Sequence, residues 1–384
     1  MSFEFATANR IVFGPGAARK AGQLASKLGR HTMVVTGKNS ERHAFVFQDL
    51  KTTNLRFTQF RVPKEPTDTL IMSGVEAARR AGCDLVIAIG GGSVIDSGKA
   101  IAAMLNNQGD LHDYLEVIGK GRTIENSPVP TIVLPTTAGT GSEVTRNAVL
   151  MSTEHKVKVS MRSPMMLPQI ALVDPELTYR MPPHITAGTG LDAMTQLLEA
   201  FVSIGANPMT DAVCREGLKR AVRSLERAYQ DGKDKAARYD MCVASLFGGM
   251  ALANAKLGAV HGIAGPLGGM YAAPHGMVCG RLLPSVMQVN ANALQERMPG
   301  AVALSRYKEL ACIVSANQNA TIADGVAWVQ SLCDRLEIPP LSQYGLDENG
   351  FPELVQNSLQ ASSMKGNPVR LTEEEMLAIL RQAI

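Results

Sequence analysis

CDLVIAIGGGSVIDSGKAIAAMLNN, residues 83–107, decides how the rest of the chain is read. Its first part, to Ile89, is apolar without alternation, as in a central strand of a parallel sheet buried on both faces. Gly90, Gly91, Gly92 and Ser93 follow, and a helical run from Val94 to Asn107 closes the stretch. Glycines between a buried strand and a helix N-terminus let the backbone approach a ligand without Cβ clashes. The free N–H groups and helix dipole there attract a pyrophosphate. A P-loop is excluded, because the spacing from Gly92 to Gly98-Lys99 is one residue too long. Ala100 also stands where a Ser or Thr should bind Mg²⁺.

The same texture extends outward on both sides. RIVFG (10–14), HTMVVTG (31–37), NLRFTQFRV (54–62) and PVPTIVLPTT (128–137) read as strands. AARKAGQLASKLG (17–29) and TDTLIMSGVEAARRAG (67–82) read as helices, the second ending at Gly82. Such alternation predicts a parallel sheet with crossover helices, binding its ligand at the carboxyl ends of the strands. Gly14-x-Gly16 lacks the third glycine of a dinucleotide fingerprint, since Arg19 stands in its place, and reads as a tight turn. PTTAGTGSEVT (135–145) adds hydroxyls and two glycines after an apolar strand, and so joins Gly90–Ser93 as a cofactor-binding candidate.

After MPPHITAG (181–188) the texture changes to long helical runs such as LDAMTQLLEAFVS and TDAVCREGLKRAVRSLERAYQ. The expected division is an α/β dinucleotide-binding domain over 1–180 and an all-helical metal and substrate domain over 181–384. A chain of 384 residues exceeds one ordinary core. With 45% hydrophobic and 19% charged residues and a net charge of +3, the composition is globular and offers no basic run for nucleic acid. No apolar run reaches a bilayer span and no signal-peptide core opens the chain, so a soluble cytoplasmic protein is expected. Six scattered cysteines without a C-x-x-C pair read as reduced, mostly buried thiols.

Asp192 lies near the start of a helical run, and VHGIAGPLGGMYAAPHG (260–276) carries His261 and His275 on either side of a glycine-rich break. A carboxylate and two imidazoles suit a catalytic zinc or iron with an open position for substrate. His31, His43, His112 and His155 lie in polar contexts and read as surface residues. His184 is at the domain boundary. Spacing alone leaves a structural role for the glycine-flanked histidines open.

GGGSVIDSGKA, PTTAGTGSEVTRNAV, ALVDPEL, GTGLDAMTQLLEAFVS and VHGIAGPLGGMYAAPHG together resemble the iron-containing (group III) alcohol dehydrogenase family over essentially the whole chain. The resemblance implies an N-terminal α/β dinucleotide-binding domain and an all-α C-terminal domain, the dehydroquinate synthase-like architecture, with cofactor and metal in the cleft between. It also implies a homodimer or larger oligomer reducing small aldehydes or oxidising small alcohols with NAD(H) or NADP(H). By motif, Gly90, Gly91, Gly92, Ser93, Asp96, Thr136, Thr137, Ser142 and Lys158 would hold the cofactor. Asp192, His261 and His275 would be catalytic and bind Fe²⁺ or Zn²⁺.

Two positions depart from the family pattern. Gln196 replaces the histidine that is usually the fourth metal ligand, and Gly265 replaces one near the substrate. Gln196 sits one helical turn from Asp192 and offers an amide oxygen as a weaker ligand. Gly37-Lys38-Asn39-Ser40 lacks the carboxylate that would bind the ribose 2′-hydroxyl of NAD, so NADP is the expected cofactor. The departures leave open a metal-independent reductase or a catalytically impaired member. A dehydroquinate-synthase-like lyase is the rival from another enzyme class.

Overall fold

The computed structural model describes residues 2–155 and 157–384. Its contacts divide the chain into two compact units. One holds Thr7–Thr137 and Gly141–Tyr179; the other holds Arg180–Ile384, the N-terminal residues up to Ala6, and Ala138–Thr140.

The first unit contains β1 (Arg10–Phe13), α1 (Ala21–Ala25), β2 (His31–Thr36), α2 (Ala44–Thr52), β3 (Arg56–Arg61), α3 (Asp68–Ala81), β4 (Leu85–Gly90), α4 (Gly92–Asn106), β5 (Thr131–Pro135), β6 (Asn147–Ser152), β7 (Val157–Arg162) and β8 (Ile170–Val173). Six strands form one parallel sheet in the order β1-β8-β5-β4-β2-β3. β4, β5 and β8 are buried throughout, as their unbroken apolar sequences require, whereas the edge strands β1 and β3 are partly exposed. The chain runs outward from β2 to β3, then returns to the other side of β2 with β4. That reversal places a topological switch point between the carboxyl ends of β2 and β4.

Two parts of this unit differ from expectation. The helix expected over 17–29 is a 3-10 turn, Ala17–Lys20, followed by the short α1. The Asp174 carboxylate accepts from the N–H groups of Gly16 (3.1 Å) and Ala18 (3.0 Å), which pins this segment as a tight turn. The antiparallel hairpin β6–β7 was not assigned from sequence, although the burial of β6 alternates along the strand.

The second unit is helical: α5 (Pro183–Val202), α6 (Pro208–Gln230), α7 (Lys235–Ala255), α8 (Ala259–Met270), α9 (His275–Arg297), α10 (Val302–Ser315), α11 (Ile322–Arg335), α12 (Phe351–Gln360) and α13 (Glu373–Ala383). Helix α5 is buried almost all round and packs against α6, α7 and α9, so it is the core of this unit. Ala138–Thr140 count with this unit through local contacts. A Cβ on Gly139 would lie 2.7 Å from that of Thr189, and the Thr140 carbonyl accepts from the Gln196 amide at 3.3 Å.

The glycine-rich break expected between His261 and His275 is a helix. GIAGPLGG lies within α8, and the chain breaks instead over Tyr271–Pro274, with Ala272 at φ 49°. Gly262 serves packing, since a Cβ there would lie 2.9 Å from the Met364 side chain. Among the described residues no single helix is long and apolar enough to cross a membrane.

Candidate active site

In the α/β unit, the expected cofactor segments gather at the carboxyl edge of neighbouring strands. Gly90 pairs with Pro135, and the Thr136 N–H donates to the Gly90 carbonyl at 2.9 Å. Gly91, the N-cap of α4, faces Thr137; a Cβ there would lie 3.5 Å from the threonine side chain. Gly90 has no room for one at all, since it would fall 2.6 Å from Val94. Gly37 and the exposed Lys38 follow β2, on the other side of the switch point.

Other expected cofactor residues are committed to their neighbours. Asp96 Oδ1 accepts from Ser142 Oγ at 2.5 Å and pairs with Lys99 at 3.0 Å; its Oδ2 accepts from the Val149 N–H at 3.0 Å. Lys99 also donates to the Ser142 carbonyl (3.0 Å) and hydroxyl (2.7 Å), to Thr145 Oγ1 (3.1 Å) and to the Asn147 carbonyl. Asp96 and Ser142 thus bind the start of α4 to β6 from inside. Burial lowers the Lys99 pKa even though Asp96 and Glu143 support its charge. Burial also raises Glu143 to about 7, against its own backbone hydrogen bond and Lys99. Lys158 lies on β7 and pairs with Glu65 at 3.3 Å.

The helical unit brings Asp192, His261 and His275 together. Asp192 is on α5, and His261 is in the first turn of α8. That turn is capped from elsewhere in the chain. Asn367 Oδ1 accepts from the Ala259 N–H (3.1 Å), and Glu199 accepts from the N–H groups of Val260 (2.6 Å) and His261 (3.4 Å). Gly258 permits the approach, because a Cβ would lie 2.8 Å from Asn367 Oδ1 and 3.0 Å from Glu199 Oε1. His275 is the first residue of α9, which glycines press onto α5. A Cβ on Gly276 would sit 2.1 Å from the Gly188 carbonyl oxygen, one turn before Asp192.

His261 Nε2 lies 3.1 Å from Asp192 Oδ1, His275 Nε2 lies 3.8 Å from the same oxygen, and the two rings are 5.4 Å apart between centroids. Glu199 Oε2 lies 2.6 Å from His261 Nδ1 and accepts its N–H. A neutral His261 therefore turns the lone pair of Nε2 towards a carboxylate oxygen. Two acceptors this close need a cation between them, whether a proton or a metal, so the donor set fits a divalent ion.

Cys279 completes the group: its Sγ is 3.6 Å from His275 Nε2 and 3.9 Å from His261 Nε2. Asp192, His261, His275 and Cys279 each offer one donor atom, all within 4.8 Å of one another. Burial opposes ionisation of both Asp192 and Cys279, but the neighbouring imidazoles hold both pKa values below their usual ranges. Burial likewise disfavours charge on His261. The Cys279 charge and hydrogen bonds to Asp192, Cys279 and Glu199 nevertheless raise it well above the usual imidazole range. At His275 the Cys279 charge is the leading cause of a raised pKa, with burial opposing.

Sequence reading missed Glu199 and Cys279. They lie at helical spacing, seven residues after Asp192 and four after His275, and that spacing was the available signal. Gln196 does not present the expected amide oxygen to the donor set. Its Nε2 donates to Asp192 Oδ1 (3.2 Å) and to the Thr140 carbonyl (3.3 Å), leaving Oε1 buried without a partner. Both neighbours are acceptors, so a flipped amide would set oxygen against oxygen. At Gly265 a Cβ would meet nothing within 4 Å.

Comparison with known proteins agrees over the full length. Residues 8–175 match the model described as iron-containing alcohol dehydrogenase, and residues 186–384 match the C-terminal model of the Fe-containing alcohol dehydrogenase family. The chain is 34% identical to the 1,3-propanediol dehydrogenase of Klebsiella pneumoniae, over 99% of this chain and 98% of that one. A crystal structure of 1,3-propanediol oxidoreductase superposes with a TM-score of 0.93 at 33% identity, covering 100% of both chains. A sulfoacetaldehyde reductase from Bifidobacterium kashiwanohense, in complex with NAD⁺, gives 0.88 at 28% identity, covering 100% of this chain and 99% of that one.

Proposed function

The chain belongs to the iron-containing alcohol dehydrogenase family, and on that premise we propose a site and cofactor for its reaction. It is an NAD(P)-linked oxidoreductase acting on alcohols. Asp192, His261 and His275 hold a divalent metal, Fe²⁺ or Zn²⁺, and the substrate is a small primary alcohol or the matching aldehyde. NADP(H) is held by Gly90–Ser93, Thr136 and Thr137, with Gly37 and Lys38 at its 2′-phosphate. Convergence of the buried carboxylate and two imidazoles carries this reading. The exposed Lys38, in a turn without a carboxylate from Gly37 to Ser40, supports the choice of NADP.

When bound, the metal supplies Lewis-acid polarisation of the substrate oxygen, and the nicotinamide supplies hydride chemistry. Glu199 keeps the proton of His261 on Nδ1, so that Nε2 is the ligating atom. Gln196 donates to Asp192 Oδ1 and orients that carboxylate. Asp96, Lys99 and Ser142 join the start of α4 to β6 from within, next to the glycine turn. Gly265 carries no group to accept the alcohol proton, which passes to solvent on the half-buried His275 side.

The test combines metal analysis of the purified protein with NADPH and NADH oxidation against a panel of short aldehydes. About one metal per chain, with stoichiometric turnover that favours NADPH, is expected. Turnover that survives complete metal removal would establish the metal-independent alternative. A Lys38→Glu variant should shift preference towards NADH, and an unchanged ratio removes Lys38 from cofactor choice.

A further inference from the structure

Four donor atoms converge in the helical unit, one more than the Asp/His/His set requires, and the extra one is a thiol. We infer that Cys279 is the fourth protein ligand of the metal, bound through Sγ as a thiolate, and that Gln196 stands outside the donor set. The inference rests on the reading that Asp192, His261 and His275 bind a divalent ion.

Separations among the donors carry the argument. Zinc–nitrogen bonds of about 2.0–2.1 Å and zinc–sulfur bonds of about 2.3 Å imply tetrahedral edges of roughly 3.3 Å between N or O donors and 3.6 Å between N and S. The corresponding separations are 3.1 and 3.8 Å from Asp192 Oδ1 to the imidazoles, and 3.6 and 3.9 Å from Cys279 Sγ to the same nitrogens. Helix α9 enforces the placement, because Cys279 follows His275 by one turn on the same face. The Gly280 Cβ position, 2.5 Å from Leu191 Cδ1, keeps that turn close against α5.

Other thiols behave differently. Cys333 Sγ donates to the Gly280 carbonyl at 3.2 Å and Cys312 Sγ to the Gln318 carbonyl at 3.3 Å, whereas Cys279 faces two imidazole nitrogens. Gln196 fails as a competitor because its donor end faces Asp192 and Thr140. On binding, the Cys279 thiol releases its proton to solvent and forms one sulfur–metal bond. A thiolate among the ligands moves the site towards softer ions and favours Zn²⁺ over Fe²⁺.

The test uses full-length protein stripped with a chelator and reloaded with Co²⁺ or Zn²⁺. Wild type should bind about one Co²⁺ per chain with near-ultraviolet thiolate-to-cobalt absorption, a readout that needs no variant. Cys279→Ser should lose that band and bind Zn²⁺ at least about 100-fold more weakly, the upper end of what loss of an outer-shell partner costs. Gln196→Ala should keep the band. Co²⁺ bound without the band, at an affinity that Cys279→Ser leaves unchanged, overturns the inference while the three-ligand site stands. A wild-type chain that binds neither ion overturns the three-ligand reading as well.

Discussion

The two units bury comparable charge to opposite ends. In the α/β unit, Lys99 is enclosed by Asp96, Ser142, Thr145 and Asn147, and every one of its N–H groups has an acceptor. In the helical unit, Asp192, His261, His275 and Cys279 bring four ligand atoms within 4.8 Å of one another, with room only for protons or a metal between them, and Gln196 Oε1 has no partner among the described residues. A buried charge therefore does not mark a site by itself. A surplus of acceptors does, because the desolvation cost is met only when a cation enters.

The sharpest way to break this comparison is His261→Ala. Loss of the metal should follow, with kcat/KM falling by at least about 1,000-fold, since the ion supplies several kcal/mol. Metal analysis and steady-state kinetics check it, and a variant that keeps both would place the lysine network and the donor cluster in one structural class.

Lys99→Met tests the other side. Removing one partner from a buried pair costs about 3–5 kcal/mol, so the melting temperature should fall steeply while metal content per folded chain stays near wild type. A variant that folds as stably as wild type but loses its metal would reverse the assignment. Glu199→Gln should be milder. It weakens the hold on His261 Nδ1 and should lower metal affinity by about 10–100-fold, measured by competition with a chelator.

The smallest effect is on pH dependence. His261 and His275 have raised pKa values in the metal-free protein. Their stabilising contribution is complete below the unfolded imidazole value of about 6.5 and fades as pH rises through the folded values. A metal displaces those protons, so the gap in melting temperature between loaded and stripped protein should widen from about pH 6 to about pH 9. Parallel curves would detach the histidines from metal binding.

Legibility differed between the units for a physical reason. β4 and β5 announce themselves as unbroken apolar runs because both faces are covered, and Gly90 must be glycine because Val94 occupies the space of a Cβ. Such constraints act within a few residues and leave a local trace. The antiparallel β6–β7 hairpin, by contrast, alternates only in burial: the sequence of β6, NAVLMS, has four consecutive apolar residues and so no alternation to read. In VHGIAGPLGGMYAAPHG the glycines suggested a break, but they lie inside a continuous α8, where Gly262 packs against Met364.

By itself the sequence determined the α/β and helical halves, the glycine turn at the end of β4, and the identity of Asp192, His261 and His275 as the residues to watch. Only the tertiary structure decided that Glu199 fixes the tautomer of His261, 62 residues away, and that Gln196 turns its nitrogen towards Asp192. It also brought Cys279 on α9 to His261 on α8. Periodicity records which face of an element is buried, whereas the partner of a buried polar atom depends on which distant helix is pressed against it.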